Sequence, residues 1–380
     1  MIEATRQPPV DASALRELAE SSIALIERLQ DASGAYPASP TFSAYRGYCW
    51  FRDGAFIADG MSAAGRVESA NAFFDWCARI VVDRAEAITA IVARAAAGDP
   101  SPDRDMLPTR FTYAGTDGPD DWWDFQLDGY GTWLWAVVEH ADRHGIDLAR
   151  WHPAIVLTVD YLVSSWSRPC FDWWEENEDQ VHVSTLGCIA AGLRAAARTD
   201  VIDPLRLTAS TTAVADILSV VESRGTHDGH LAKWLGSAEV DASLLSVVSP
   251  LGLFPVSTEL GRATVAAVEA ALAVSTGVHR YLMDTFFGGG QWPLLTCFLG
   301  LADAAAGDTD RAMDCLRWAA STANAAGELP EQVGDDLLDP AFVDEWVERW
   351  GPVAQPLLWS HAMYVRLAVE LGVVGGGVRA

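Results

Sequence analysis

Trp173-Trp174-Glu175-Glu176 and Leu329-Pro330-Glu331-Gln332 each place a carboxylate in a loop, beside apolar or aromatic residues, just before a helix-like run. Two carboxylates in unlike surroundings suit one kind of chemistry: one is held protonated as an acid and the other ionised as a base, across a glycosidic bond. Inverting hydrolysis puts the acid on the leaving oxygen and the base on a water at the opposite face, with the carboxyls roughly 6.5–9.5 Å apart. Glu175 follows two tryptophans, and an apolar wall disfavours a charged carboxyl, so Glu175 is expected to be the acid. Glu331 stands beside Gln332 and near Asp335 and Asp336, a wetter segment, and is expected to be the base. Taken singly, either glutamate is better explained as a first-turn acid on a helix dipole; the pair carries the chemistry.

Further polar and aromatic residues recur at similar positions. Arg52-Asp53, Gln126 to Gly129, Asp241 and Arg280 each stand at or just before a helical run, as do Trp292 and Trp359. Arg-Asp pairs offer donors and acceptors to sugar hydroxyls, although a local ion pair is the plainer explanation of each. Sixteen tryptophans is a high count, and Trp122-Trp123, Trp173-Trp174 and Trp346 to Trp350 lie in polar surroundings. Flat π surfaces there would stack on the apolar faces of pyranose rings. Gly288-Gly289-Gly290 lacks the Lys-Ser/Thr and the preceding strand of a phosphate cradle. His361 has no serine in a nucleophile-elbow context and reads as a satisfied helix histidine. Acidic runs at 117–121 and 175–179 lack alternating calcium-loop spacing. No metal and no cofactor is therefore expected.

These loops need a scaffold, and the chain offers helices almost throughout. Apolar spacing near 3.6 marks 11–30, 54–64, 67–97, 127–144, 149–166, 183–198, 205–223, 241–248, 259–276, 291–306, 309–325 and 355–371. No segment alternates as a convincing hairpin. The odd-numbered members have charged faces, with Arg16, Glu17, Glu20, Glu27 and Arg28 in the first. The even-numbered ones are evenly apolar and small, as in Cys188-Ile189-Ala190-Ala191-Gly192-Leu193. Helices with one wet side lie outside and helices apolar all round lie inside. The expectation is an all-α (α/α)6 barrel of twelve helices, six inner ringed by six outer, as one domain over 1–380. If the inner helices are parallel, the decorated loops meet at one end and make a pocket.

Composition narrows the ligand. A net charge of −26 argues against nucleic acid and anionic membranes, which need a basic surface. Lys233 is the single lysine, so arginine must supply nearly every cationic contact. The six cysteines are scattered, without zinc spacing, and read as buried thiols. No signal-peptide core or membrane-spanning stretch is visible, so the expected location is cytoplasmic.

The loops, in order, resemble glycoside hydrolase family 15, the glucoamylase and glucodextranase family. Tyr48-Cys49-Trp50-Phe51-Arg52-Asp53-Gly54 is similar to its first loop, Trp122 with Gln126 to Gly129 to its second, and Trp174-Glu175-Glu176 to its acid loop. Arg280-Tyr281 through Asp284, with Trp292 and Thr296-Cys297, is similar to the fifth, and Pro330-Glu331-Gln332 to the base loop, with Trp359-Ser360 after it. The resemblance implies an inverting, exo-acting enzyme that releases β-D-glucose. It implies Glu175 as general acid and Glu331 as general base. Arg52, Asp53, Trp122, Trp174, Glu176, Arg280, Trp292 and Trp359 are then expected to bind the sugar. An N-terminal β-sandwich and a starch-binding tail, known in relatives, are not expected here. Extra acids in the acid loop argue against starch, so a small neutral oligosaccharide of the isomaltose type is expected. α-1,4 or α,α-1,1 hydrolysis and non-catalytic sugar binding are the alternatives.

Overall fold

Each of the twelve expected helical stretches folds as helix in the computed structural model, which describes residues 11–120, 122 and 125–377. An inner set comprises α2 (Phe51–Ala63), α5 (Asp128–His144), α7 (Val183–Ala197), α9 (Leu244–Val248), α11 (Pro293–Ala305) and α14 (Leu358–Glu370). Each packs on the next, and α14 returns to α2, closing the ring. Outside it lie α1 (Ala12–Leu29) on α14, α3 (Val67–Asp83) on α2, α6 (His152–Ser165) between α5 and α7, α8 (Pro204–Arg224) on α7, α10 (Glu259–Leu272) on α9, and α12 (Thr309–Ser321) on α11. This is the all-α (α/α)6 barrel, and its inner and outer helices follow the predicted parity.

Burial explains the parity. Every residue of α2 and α9 is buried. On α1 only Leu15, Ala19, Ser22, Ile23, Leu25 and Ile26 are buried, a single stripe. Fully burying one such Leu or Ile is worth about 1.5–3 kcal/mol. α2 and α9 therefore have no face left to wet. Four outer helices carry side-chain N-caps, from Asp11, Asp203, Thr258 and Asp308. None of the six inner helices has one. Their N-termini, the positive ends of their dipoles, open toward the pocket loops.

Three details differ from the expected pattern. The stretch 67–97 breaks at Arg84 (φ −104°, ψ 16°), giving α3 and α4 (Ala85–Ala96), and there the Arg84 guanidinium reaches Asp117 and the Gly115 carbonyl. An unexpected helix, α13 (Val343–Trp350), follows the base loop. Short antiparallel ribbons also exist: β1 (Tyr48–Trp50) pairs with β2 (Arg110–Thr112) across the intervening helices, and 226–227 with 230–231 and 273–274 with 277–278 make two small hairpins. Strands of two or three residues show no readable alternation. Among the described residues, no helix is long and apolar enough to cross a membrane.

The ring closes most tightly where α5 meets α7. A Cβ on Gly131 would stand 2.4 Å from the Cys188 carbonyl, and one on Gly192 would stand 2.5 Å from the Gly131 carbonyl. Gly131→Val is expected to destabilise the protein by about 1–3 kcal/mol in urea melts, because backbone rather than a side chain must yield. An unchanged midpoint would show that the crossing has slack.

Candidate active site

All ten sequence-predicted site residues line one pocket at the N-terminal end of the inner ring. Arg52 and Asp53 sit in the first turn of α2 rather than before it. Trp122 comes from the second loop, Trp174 to Glu176 from the third, Arg280 and Trp292 from the fifth, Glu331 from the sixth, and Trp359 from α14. Asp241 of the fourth loop stands behind the wall, where it accepts the Trp174 indole N–H at 2.9 Å. Trp123 lies outside the described residues. Trp173 reaches the pocket lining but is nearly all core, packed on Phe56, Phe298 and Trp359.

The acid loop is wound by Asp172. One oxygen of its carboxylate accepts the backbone N–H groups of Trp174 and Glu176, each at 2.9 Å, while its carbonyl accepts that of Glu175 at 3.1 Å. Glu175 is thereby held at φ 64° and Asn177 at φ 53°, left-handed conformations that cost a non-glycine residue about 1–2 kcal/mol. Such strain persists where surrounding contacts enforce it, often at functional sites. Three donors meet the half-buried Glu175 carboxylate. Trp50 Nε1 donates to Oε1 at 2.6 Å, Gln126 Nε2 to Oε1 at 3.1 Å, and Trp122 Nε1 to Oε2 at 2.8 Å. The expected apolar wall is therefore corrected: the tryptophans present their N–H edges.

The base loop is corrected in the opposite sense. Glu331 is 2% exposed, not wet. Burial pushes its carboxyl up to about 8, with the Tyr45 hydroxyl and Arg280 pulling the other way. Tyr45 donates to Oε1 at 2.8 Å, and Oε2 is buried with no hydrogen-bond partner. Asp335 and Asp336 lie beyond the pocket wall. The backbone around Glu331 is pinned: its N–H donates to Ala354, Ser360 Oγ donates to the Pro330 carbonyl, and the Leu329 N–H donates to His361 Nε2. The last bond leaves His361 Nδ1 to donate to Ser22, and burial holds this histidine neutral, down at about 3.

A string of contacts joins the two carboxylates across the pocket. The Tyr45 ring meets Trp50 edge-on at 5.4 Å, so Glu331, Tyr45, Trp50 and Glu175 form one continuous chain of contacts. Beneath it, Arg52 donates to Gln126 at 2.5 Å and Asp128 at 3.0 Å, and pairs with Asp53 at 3.5 Å. Burial pushes Asp53 up to about 7, against the pull of Arg52. Arg280 is clasped by Asp284 and lies within 5.1–5.3 Å of the ring centres of Trp174, Phe286 and Trp292. Trp292 Nε1 and Trp359 Nε1 are buried without a partner, while Arg52 Nε and Asp53 Oδ2, ion-paired at 3.5 Å, make no hydrogen bond. A buried polar atom that makes no hydrogen bond costs about 1–3 kcal/mol; four of them on residues of one pocket floor suit a ligand rich in hydroxyls. No three His, Cys, Asp or Glu side chains among the described residues converge as metal ligands would.

Sequence reasoning missed Tyr45, Phe42, Phe286 and Arg349 in the pocket lining. At the mouth, Trp346 packs on Phe286 and Phe287, and Trp350 meets Trp122 at 6.2 Å. The Trp346–Trp350 cluster was the one signal for this wall.

With this geometry, known proteins give a consistent answer. The family model for glycosyl hydrolases family 15 matches residues 12–314. The chain belongs to glycoside hydrolase family 15. It is 53% identical to an isomaltose glucohydrolase of Kribbella flavida over 95% of this chain and 94% of that one. A solved glycosidase superposes with TM-score 0.93 at 52% identity, covering 96% of this chain and 98% of that one; a Glu→Ala form of a glycosidase, equally similar, was solved with glucose. A glucoamylase from Saccharomycopsis fibuligera shares the fold at TM-score 0.72 and 15% identity, covering 98% and 99% of the two chains. The protein is thus a glycoside hydrolase.

Glu331 should make the family 15 pocket costly to stability at alkaline pH. A carboxyl raised from 4.5 to about 8 on folding binds protons more tightly folded than unfolded. Its contribution is present below 4.5 and lost as pH rises through 8. Glu331→Gln is expected to exceed wild type by about 1–3 kcal/mol in urea melts at pH 9, with the gain vanishing near pH 4.5. A gain independent of pH would contradict the burial argument.

Proposed function

We propose that this family 15 hydrolase is an inverting, exo-acting α-glucosidase. It removes the terminal non-reducing glucose of short α-glucosides as β-D-glucose, with isomaltose and isomalto-oligosaccharides as its first substrates. The observation that carries this reading is Glu331 Oε2, a buried carboxylate oxygen without a hydrogen-bond partner, in one pocket with Glu175 and the Arg52, Asp53 and Arg280 floor. The 53% identity with an isomaltose glucohydrolase supports the linkage. We treat residues 1–380 as one catalytic domain, acting on a small neutral oligosaccharide in the cytoplasm; six buried free cysteines accord with that compartment.

Each residue then has a task. Asp53, Arg52 and Arg280 bind the hydroxyls of the terminal glucose, while Trp359, Trp292 and Trp174 line its ring. Glu176 assists from between Arg280 and Tyr281. Glu331 Oε2 takes a proton from water as the water oxygen bonds to the anomeric carbon. On the other face the bond from that carbon to the glycosidic oxygen breaks, and Glu175 gives that oxygen its proton. The proton belongs on Oε2, which has one donor partner, while Oε1 has two. Trp122 flanks the leaving group. Net, one water is consumed, and the anomeric configuration inverts.

Both glutamates are testable. Glu175→Gln and Glu331→Gln should each lower kcat on isomaltose by about 10²–10⁴-fold, with unchanged circular dichroism. Near-wild-type turnover in either would refute the assignment. Tyr45→Phe removes the bond that eases Glu331 ionisation, so its carboxyl rises further. The base must be ionised, so the acid limb of kcat/KM against pH should move to higher pH, with lower kcat throughout. A limb moving to lower pH would oppose it. The Trp122, Trp346 and Trp350 walls from the loops at 99–123 and 333–352 narrow the mouth. We therefore expect kcat/KM to fall from isomaltose to long dextran by about tenfold or more; equal values would contradict the narrow mouth.

A further inference from the structure

Of 26 basic residues only Lys233 is lysine, and it is 3% exposed. It lies outside the pocket lining, in the segment between the 230–231 strand and α9. Its ammonium stands 3.3 Å from Asp241 Oδ2 and 3.9 Å from Asp172 Oδ2, with the Tyr281 ring centre 3.3 Å away. Each of those three groups holds a different part of the acid loop. The Asp172 carboxylate winds the turn through the Trp174 and Glu176 N–H groups. Asp241 anchors the Trp174 indole. The Tyr281 hydroxyl donates to Glu176 Oε2, and Arg280 stands 3.8 Å from Glu176 Oε1.

We propose that Lys233 is the positioning residue of the acid loop: one buried ammonium fastens all three supports that hold Glu175 and Glu176 at their working angles. It touches neither substrate nor reacting atoms. The gap between an aromatic face and two carboxylates suits a compact point charge and not a planar guanidinium fork, which accounts for a lysine in a chain that otherwise uses arginine. Burial pushes Asp172 up to about 7, with Lys233 pulling it down and Asp241 and Glu176 pushing it up. Without the ammonium, two acids are left buried with no cation between them, and Asp172 holds its proton at neutral pH. The charge-assisted bonds that wind the turn then become ordinary ones, roughly half as strong. Glu175, at φ 64°, has the least reason to stay where it is once the turn loosens.

The inference rests on Glu175 being the acid, and the test separates the two. Isomaltose has an alkoxide leaving group that needs a proton. α-Glucosyl fluoride presents the same glucose to the same floor, but its leaving group is the anion of a moderately strong acid and needs little protonation. In Lys233→Met, kcat on isomaltose should fall about 10–100-fold, while kcat on the fluoride falls less than about threefold. Asp241→Asn keeps an acceptor for the Trp174 indole and halves the ion cluster, so it should show the same split, smaller. It decides the question if Lys233→Met does not fold. Equal losses on both substrates, or no loss on either, would overturn the positioning role and leave a structural one. Glu175→Gln is the control. If it too loses both substrates equally, the acid assignment fails instead.

Discussion

Three buried cations, each held between two acids, set the terms for this end of the barrel. Arg52 pairs with Asp53 and Asp128, Arg280 with Asp284 and Glu176, and Lys233 with Asp241 and Asp172. A carboxylate taken out of water alone is too costly to remain charged. Pairing lets the pocket keep a dense set of acids without opening it to solvent. The same pairing fixes geometry. Arg52 ties α2 to the first turn of α5, Arg280 closes its own loop against Asp284, and Lys233 gathers the third, fourth and fifth loops. Inner-helix N-termini, bare of side-chain caps, add their positive dipole ends to the same region.

Function is then a matter of what remains unpaired. Glu331 keeps one oxygen free, the floor keeps two indole N–H groups free, and the Arg52 Nε–Asp53 Oδ2 ion pair there makes no hydrogen bond. Glu175 is fully supplied with donors but strained in its backbone. Both conditions oppose stability, and both are where a sugar and a water would restore balance. This is the usual relation between a preorganised site and the fold that carries it. The large apolar inner ring, with α2 and α9 wholly buried, is what tolerates the deficit.

Much of this was legible in the chain because two signals are local. Even apolarity in Cys188 to Leu193 and the striped charges of Arg16 to Arg28 separate inner from outer helices without any tertiary information. Motifs at fixed places before the inner helices then converge by geometry alone. What was not legible depends on partners far away in sequence. Nothing near Glu331 announces burial; its contacts with Tyr45 and Ala354, distant in sequence or beyond the loop, go with it. Nothing in Trp173-Trp174 says that the tryptophan N–H edges meeting Glu175 come from Trp50 and Trp122. The break at Arg84 carries no Gly or Pro to mark it, and α13 is one short amphipathic stretch inside what reads as a loop. Lys233 was visible as the single lysine, but its meaning needed the positions of Asp172, Asp241 and Tyr281.

The central claim is that Glu331 and Glu175 act from opposite faces of the anomeric carbon, with water attacking from the Glu331 side. Proton NMR of a fresh isomaltose digest, read before mutarotation, tests it most directly. The account predicts that the β-glucose anomeric signal rises first and the α signal only later. An early α-glucose signal would mean retention, and would contradict the placing of a water between Glu331 and the sugar.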